Sequence, residues 1–399
     1  MAEKVFMPIN PVVIKWAREV IGYEIQDAAK KIGIKPAKLE EWERGDSAPT
    51  YNQLKKVSST YKRITAVFFL EQVPKDPKIP KDFRVIRDGK EKDLSPIVLI
   101  EVRDAERKRK DAIELATMLK EGVPTFSFKA KLSDKAEDIA SDIRRAFSVE
   151  SQPAQVFANE YSSFNFWKSA VEAAGALVFQ ASLDGGNDIR GLAIYYDLFP
   201  FILLNTKDLP KPRTFSLMHE FGHLLLQKSK IGNMNPSYKI KDEYNQIEVW
   251  CNAFAAECLM PMGIFSRLPE VAAIKSEDDL TRAVLVRLSN KFQVSWEAVI
   301  RRLVDLGRIS RDYYNSHREE MAKLYGEKKK ETSGGPSHQV RVYSYNGEPF
   351  TRLAISNYMA GNITGAELSR YLGLKFNHIE QMSPHISGGR KGRSIERSR

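Results

Sequence analysis

The chain has 399 residues, a formal net charge of +11, 42% hydrophobic residues, six His and two Cys. That length suits two or three domains with ordinary apolar cores, and so few Cys exclude a disulfide scaffold. No apolar run approaches the ~18 residues of a membrane span, and no signal peptide opens the chain, so the expected location is the cytoplasm, with no membrane partner. The basic excess is spread along the chain, with one block at the C-terminus. It fits contact with nucleic acid or an acidic protein, and by itself describes only a soluble surface.

Residues 1–74 read as a compact five-helix domain. Pro11–Val20 is one helix, and Glu24–Ile32 a second broken by Gly33. A third runs from Lys35 to Arg44, with Pro36 in its first turn and Gly45 at its end. Tyr51–Tyr61 makes another. Helix, short Gly-containing turn and helix form the helix-turn-helix pattern. The string Trp42-Glu43-Arg44-Gly45, with Pro49-Thr50 beyond it, resembles the Xre/Cro class of DNA-binding domains. A recognition helix offers its first residues to the major groove. Here these are Lys35 and Lys38, with Gln26 at the start of the preceding helix, as candidate DNA contacts. Glu40, Glu41 and Glu43 follow and sit poorly near phosphates. A helix-turn-helix that holds another protein is therefore an equal reading.

Pro74–Pro80 is a stiff, Pro-rich linker. Pro96–Lys120 carries apolar residues at helical spacing, and its charge run from Arg103 to Lys110 reads as a solvated face. A further helix is expected up to Phe147. Residues 75–150 are thus a helical connector.

The next region opens with a helix, Ser163–Ala174. Three strands follow by β-branched and aromatic content, at 175–180, 190–196 and 199–205. Tyr195, Tyr196 and Asn205 are candidate substrate contacts there, although ordinary sheet positions suit each.

The apolar run Phe215–Leu226 contains His219-Glu220-Phe221-Gly222-His223. Two His four apart share one helical face and can grip one metal ion. Glu220, beside them, is placed to deprotonate a water. Imidazoles suit Zn²⁺, and Mn²⁺ is tolerated by the same donor types. A second helix, ending before Pro261, offers the third ligand. Glu248 is preferred, with Glu257 as rival and Glu243 behind it. Two His and one Glu leave a position open for water, the mark of a catalytic site. Asn252 lies one turn after Glu248 and could hold a ligand in place. Cys251 and Cys258 face the same way on this helix and read as buried thiols. A Cys ligand would need Cys251 to displace Glu248.

Met218-His219-Glu220-Phe221-Gly222-His223-Leu224-Leu225-Leu226, followed by Glu248, Asn252 and Phe254-Ala255-Ala256-Glu257, resembles the ImmA/IrrE metallopeptidases over roughly 150–310. The resemblance implies a zincin-like fold, zinc ligands at His219, His223 and Glu248, and a general base at Glu220. One departure is Trp250-Cys251, where a small residue is usual before Asn252. The implied activity is site-specific cleavage of a regulatory protein, typically a DNA-binding repressor, in a stress or mobile-element response. Some relatives with this layout pair with a toxin, which suggests an antitoxin or regulator acting by binding.

Beyond a Gly/Ser/Lys-rich linker at 327–336, Val340–Tyr345 reads as a short strand. Helices follow at 350–358, at 366–371 behind a Thr364/Glu367 capping box, and at 376–382. The tail from 386 is basic and expected to be disordered. The expected architecture is mainly α with a small β-sheet (α+β). Its parts are the helix-turn-helix domain at 1–74, the connector at 75–150, the metallopeptidase domain at 151–326, a small helical module at 337–385 and the tail at 386–399.

Overall fold

The computed structural model describes residues 5–74, 84–87, 90–93, 95–120, 122–123, 125–149, 157–183, 189–227, 238–317 and 338–374. Contacts divide the chain into two units between Glu106 and Arg107, with Leu183 and Ile189 counting with the first.

The first unit begins with α1 (Pro11–Val20), α2 (Ile25–Ile32), α3 (Pro36–Arg44) and α4 (Tyr51–Tyr61). Local chemistry sets each boundary. The Asn10 side chain accepts from Val12 N–H at the start of α1. Gly33 (φ 78°) and Gly45 (φ 86°) end α2 and α3 in the left-handed region that glycine adopts without strain. Thr50 and Gln53 form a capping box on α4. The fifth helix is a 3₁₀ turn, Thr65–Phe69. Val13, Ile14, Ala17, Ala28, Leu39, Trp42, Leu54 and Phe68 close one core.

The connector segment is not uniformly helical. It contains an antiparallel hairpin, β1 (Arg84–Arg87) with β2 (Lys90–Asp93). The sequence signal for it is Asp88-Gly89, a pair suited to a tight hairpin turn. The long α5 (Pro96–Met118) follows. Within the first unit, Arg103 of α5 donates to the Tyr61 and Lys62 carbonyls, capping the end of α4.

In the second unit, Arg109 of α5 donates to the Leu198 carbonyl and lays its guanidinium 3.6 Å from the Tyr196 ring centroid. Next come α6 (Ala136–Ala146) and α7 (Glu160–Ala173). α7 starts a turn earlier than its periodicity suggests, because Asn159 and Ser162 form a capping box. The sheet has β3 (Leu177–Ala181), β4 (Gly191–Ile194) and β5 (Phe201–Asn205) in the order β3-β5-β4. β3 is parallel to β5, and β4 antiparallel. Every strand residue is buried, which explains their continuous apolar runs.

α8 (Pro210–Leu225) and α9 (Tyr238–Leu259) pack on each other, and α8 also packs on β4 and β5. α8 begins at Pro210, ahead of the apolar run. Pro210 and Pro212 fit its first turn, where the missing N–H groups would have no helical partner anyway. α6 packs along α9, and Ala136, Ala140 and Ile143 share one core with Leu217 and Phe221. This part of the segment expected as a connector therefore contributes to the core that α8 and α9 share. The short α10 (Met262–Phe265) and α11 (Pro269–Ala272) precede α12 (Arg282–Phe292), α13 (Trp296–Asp305) and α14 (311–317).

α15 (His338–Asn346) is a helix where a strand was expected. Its Val- and Tyr-rich content favours a strand only weakly, because β-propensity follows surroundings more than backbone preference. α15 packs against β3. The Gln180 side-chain amide of β3 donates to the Ser344 carbonyl at 2.8 Å, and Asn346 donates to the Leu372 carbonyl. α16 (Glu348–Met359) and α17 (Gly365–Leu372) follow, the latter with the expected Thr364/Glu367 box. α16 packs on α7, so these helices lie within the second unit instead of forming a module of their own. The expected 376–382 helix, the 327–336 linker and the tail fall outside the described residues.

Candidate metal centre

α8 is buried along most of its length. Leu217, Met218, Phe221, Leu224 and Leu225 face the core, and the same helix carries Glu220 (3% exposed) and His223 (2% exposed) into the interior. Burying such groups is costly unless something compensates them. For His223 the compensation comes from α9. His219 Nε2 lies 3.3 Å from Glu248 Oε2, and His223 Nε2 lies 3.3 Å from Glu248 Oε1. The two His Nε2 atoms are 3.2 Å apart. Among the described residues these three form a group able to hold a metal ion.

The donor set fits such an ion. Two Zn–N bonds of about 2.0–2.1 Å at a tetrahedral angle place their nitrogens about 3.3 Å apart. The tautomer fits as well. The Asn252 side-chain oxygen lies 3.2 Å from His219 Nδ1. With that nitrogen donating its proton to the amide, Nε2 is left as a lone pair.

Two glycines lie in close contact with the site's helices. A Cβ at Gly222 would stand 3.2 Å from Cys251 Sγ and 3.4 Å from Cys251 Cα. A side chain there would require Cys251 and Phe254 of α9 to shift by a few tenths of an ångström. A Cβ at Gly191 would stand 3.1 Å from Glu220 Cγ and 3.4 Å from its Oε1, so this glycine clears space over the carboxylate. Gly222 was visible inside the motif, but the contact it allows was not. Gly191 had no local signal beyond opening a strand.

The other candidates lie elsewhere. Glu257 forms an ion pair with Arg302 and accepts from Met262 N–H at 3.1 Å, which holds it at the end of α9. Glu243 is outside the residues whose side chains are described. Cys251 and Cys258 are buried thiols outside any disulfide, and burial pushes the Cys258 thiol far above its ordinary range. Trp250 stacks on Phe254 and donates to the Asp134 carbonyl at 2.8 Å. The unusual Trp250-Cys251 pair thus fills helix contacts and leaves the ligands in place. The Tyr195 hydroxyl donates to Asp197 and accepts from Gln227, and burial, with that carboxylate, raises its pKa. Tyr196 lies under Arg109, and Asn205 accepts from Lys207 N–H in a turn.

On the helix-turn-helix unit, Gln26 and Lys35 are exposed. The Lys38 ammonium bonds Glu41 at 2.7 Å, and Ser47 donates to the same carboxylate. Glu43 is not on the outer face. The residue is half-buried, and its carboxylate makes a two-point pair with Arg18, at 2.7 and 2.9 Å.

Residues 171–304 match the IrrE N-terminal-like domain of the M78 peptidases, a stretch that includes His219, Glu220, His223 and Glu248. Residues 14–69 match a helix-turn-helix family. The chain carries an IrrE N-terminal-like domain behind an Xre-type helix-turn-helix domain. No curated protein and no solved structure matches it. The IrrE-like domain suggests a metal cofactor and a protein substrate, and the helix-turn-helix suggests DNA binding. Among the described residues, no helix is long and apolar enough to cross a membrane.

Proposed function

We propose that the chain is a zinc endopeptidase of the His-Glu-x-x-His-plus-Glu type that cleaves a regulatory protein at one site. The proposed substrate is a DNA-binding repressor in a stress or mobile-element response. The observation that carries this reading is the convergence of His219, His223 and Glu248, with Glu220 buried next to His219 in the chain. Zn²⁺ suits these donors, and Mn²⁺ is an acceptable substitute. When bound, the ion supplies Lewis acidity, polarising a peptide carbonyl and acidifying a water.

The chain's own groups do the rest. The Asn252 amide holds the Nδ1 proton of His219 and so fixes that ring. The Glu220 carboxylate takes a proton from the attacking water and returns it to the leaving amine. Gln26 and Lys35 would bring the helix-turn-helix to DNA, with Lys38 contributing after releasing Glu41.

A second reading is favoured by the self-paired charges of α3. In it the chain is an antitoxin or regulator that binds a toxin partner or DNA, and its metal site is structural or sensory. The deciding experiment compares new protein N-termini in cells expressing wild type and Glu220→Gln, with and without DNA damage. The variant should keep its fold and metal content and lose cleavage by about 10²–10⁴-fold. A fragment made only by wild type identifies substrate and bond. If both versions silence a gene or neutralise a toxin equally and no such fragment appears, the binding reading replaces the peptidase.

A further inference from the structure

Two buried arginines from other helices hold the end of α9, the helix that brings Glu248 to the histidines. They are Arg144 of α6 and Arg302 of α13, 8% and 6% exposed. Helical geometry would give Met262 N–H to the Cys258 carbonyl. That N–H goes to the Glu257 side chain instead, at 3.1 Å, and Arg144 donates to the Cys258 carbonyl. Arg302 donates from Nε to the Met260 carbonyl at 3.0 Å and pairs with the Glu257 carboxylate. Two guanidinium groups thus stand where the last carbonyls of a helix lack helical partners and its dipole is negative.

These bonds bear on the metal site through the position of α9 along its own axis. α9 packs along α6 and α8. Apolar packing resists separation of helices but is non-directional, whereas hydrogen bonds fix direction. Glu248 presents one carboxylate oxygen to each histidine, at 3.3 Å in both cases. Packed helices shift past one another by about 1–2 Å in known switches, enough to cost Glu248 one of its two partners. The Trp250 indole ties the middle of α9 to the Asp134 carbonyl. The arginines tie its end, where Cys258 lies about 15 Å beyond Glu248 at the helical rise.

We propose that Arg144 and Arg302 are positioning residues for the metal site. By fixing the end of α9 they set the register in which Glu248 meets both His219 and His223. This role rests on the reading of that trio as a metal site.

The test measures zinc affinity of the full chain by competition with a chromogenic chelator, beside Tm and circular dichroism. Arg302→Met should weaken zinc binding about tenfold or more, as loss of a group that orients a ligand does. Arg144→Met should act in the same direction. Both changes also lower Tm, because buried acceptors lose their donors. Asn357→Ala is therefore the comparison. Asn357 is buried in α16 and donates to the Leu115 and Leu353 carbonyls, so its loss should lower Tm and leave zinc affinity unchanged. Should the Met variants not fold, Arg302→Lys decides. It keeps a charge beside Glu257 without the fork that also reaches the Met260 carbonyl, and it should bind zinc several-fold less tightly than wild type. The proposal is overturned if the folded Arg302 and Arg144 variants bind zinc as tightly as wild type. It is equally overturned if Asn357→Ala weakens binding as much as they do. A wild-type chain that binds no zinc would remove the metal site itself, and this role with it.

Discussion

Each unit holds a conspicuous polar cluster, and the two clusters differ in kind. In the helix-turn-helix unit, Arg18 meets Glu43 with two hydrogen bonds, and its third nitrogen donates to the Tyr23 carbonyl. Donors face acceptors and opposite charges cancel, so the cluster is complete as it stands. In the IrrE-like unit, two imidazole nitrogens and a carboxylate point at one another within 3.3 Å. With Asn252 holding the Nδ1 proton of His219, the nitrogen facing His223 and Glu248 is a lone pair, and a cation completes the group. Burial alone does not distinguish a functional cluster from a structural one. The balance of donors and acceptors within it does.

The largest effect should come from breaking the complete cluster on one side only. Glu43→Gln leaves a buried guanidinium short of charge and should cost about 3–5 kcal/mol, read as a lower midpoint of the helix-turn-helix transition in urea. The double change Arg18→Met with Glu43→Leu should recover most of that loss. Equal loss in the single and double variants would mean that packing, and not the unpaired charge, sets the cost.

The incomplete cluster should respond in metal affinity more than in fold. Asn252→Ala frees the His219 ring and should weaken zinc binding about 10–100-fold, measured by competition with a chromogenic chelator, while the metal-free Tm changes little. An unchanged affinity would remove Asn252 from the site. Gly222→Ala addresses the frame. Its Cβ would press on Cys251 and Phe254, at a cost of about 1–3 kcal/mol for an overpacked contact. If Gly222 sets the spacing of α8 and α9, zinc affinity should fall together with Tm. A lower Tm with full zinc affinity would show that Glu248 reaches the histidines without the close approach.

Much of this was legible locally. His219, Glu220 and His223 are bound together by helical spacing alone, and a helix with that pattern presents them on one side in any fold. The caps at Thr50 and Thr364, and the glycines after α2 and α3, act on their nearest backbone groups, so they too could be read one turn at a time. The strand expected at 340–345 failed because a run of Val and Tyr takes the conformation of the surface it covers, here β3. The early starts of α7 and α8 were missed because Asn159 and Pro210 act through backbone chemistry ahead of the apolar pattern.

The sequence by itself determined the donor types, their helical spacing and the presence of a helix-turn-helix. The sequence preferred Glu248 over Glu257 but left the rival open, and the tertiary structure brings Glu248 to the histidines. Glu248 and Glu257 lie on the same helix, and Arg302, distant in sequence, engages Glu257 at its far end. It also set Gly222 and Gly191 against the site, and turned the Glu43 carboxylate onto Arg18. The physical reason is the same in each case. Local spacing fixes directions along one helix, whereas burial and pairing depend on what a second element brings to within a few ångströms.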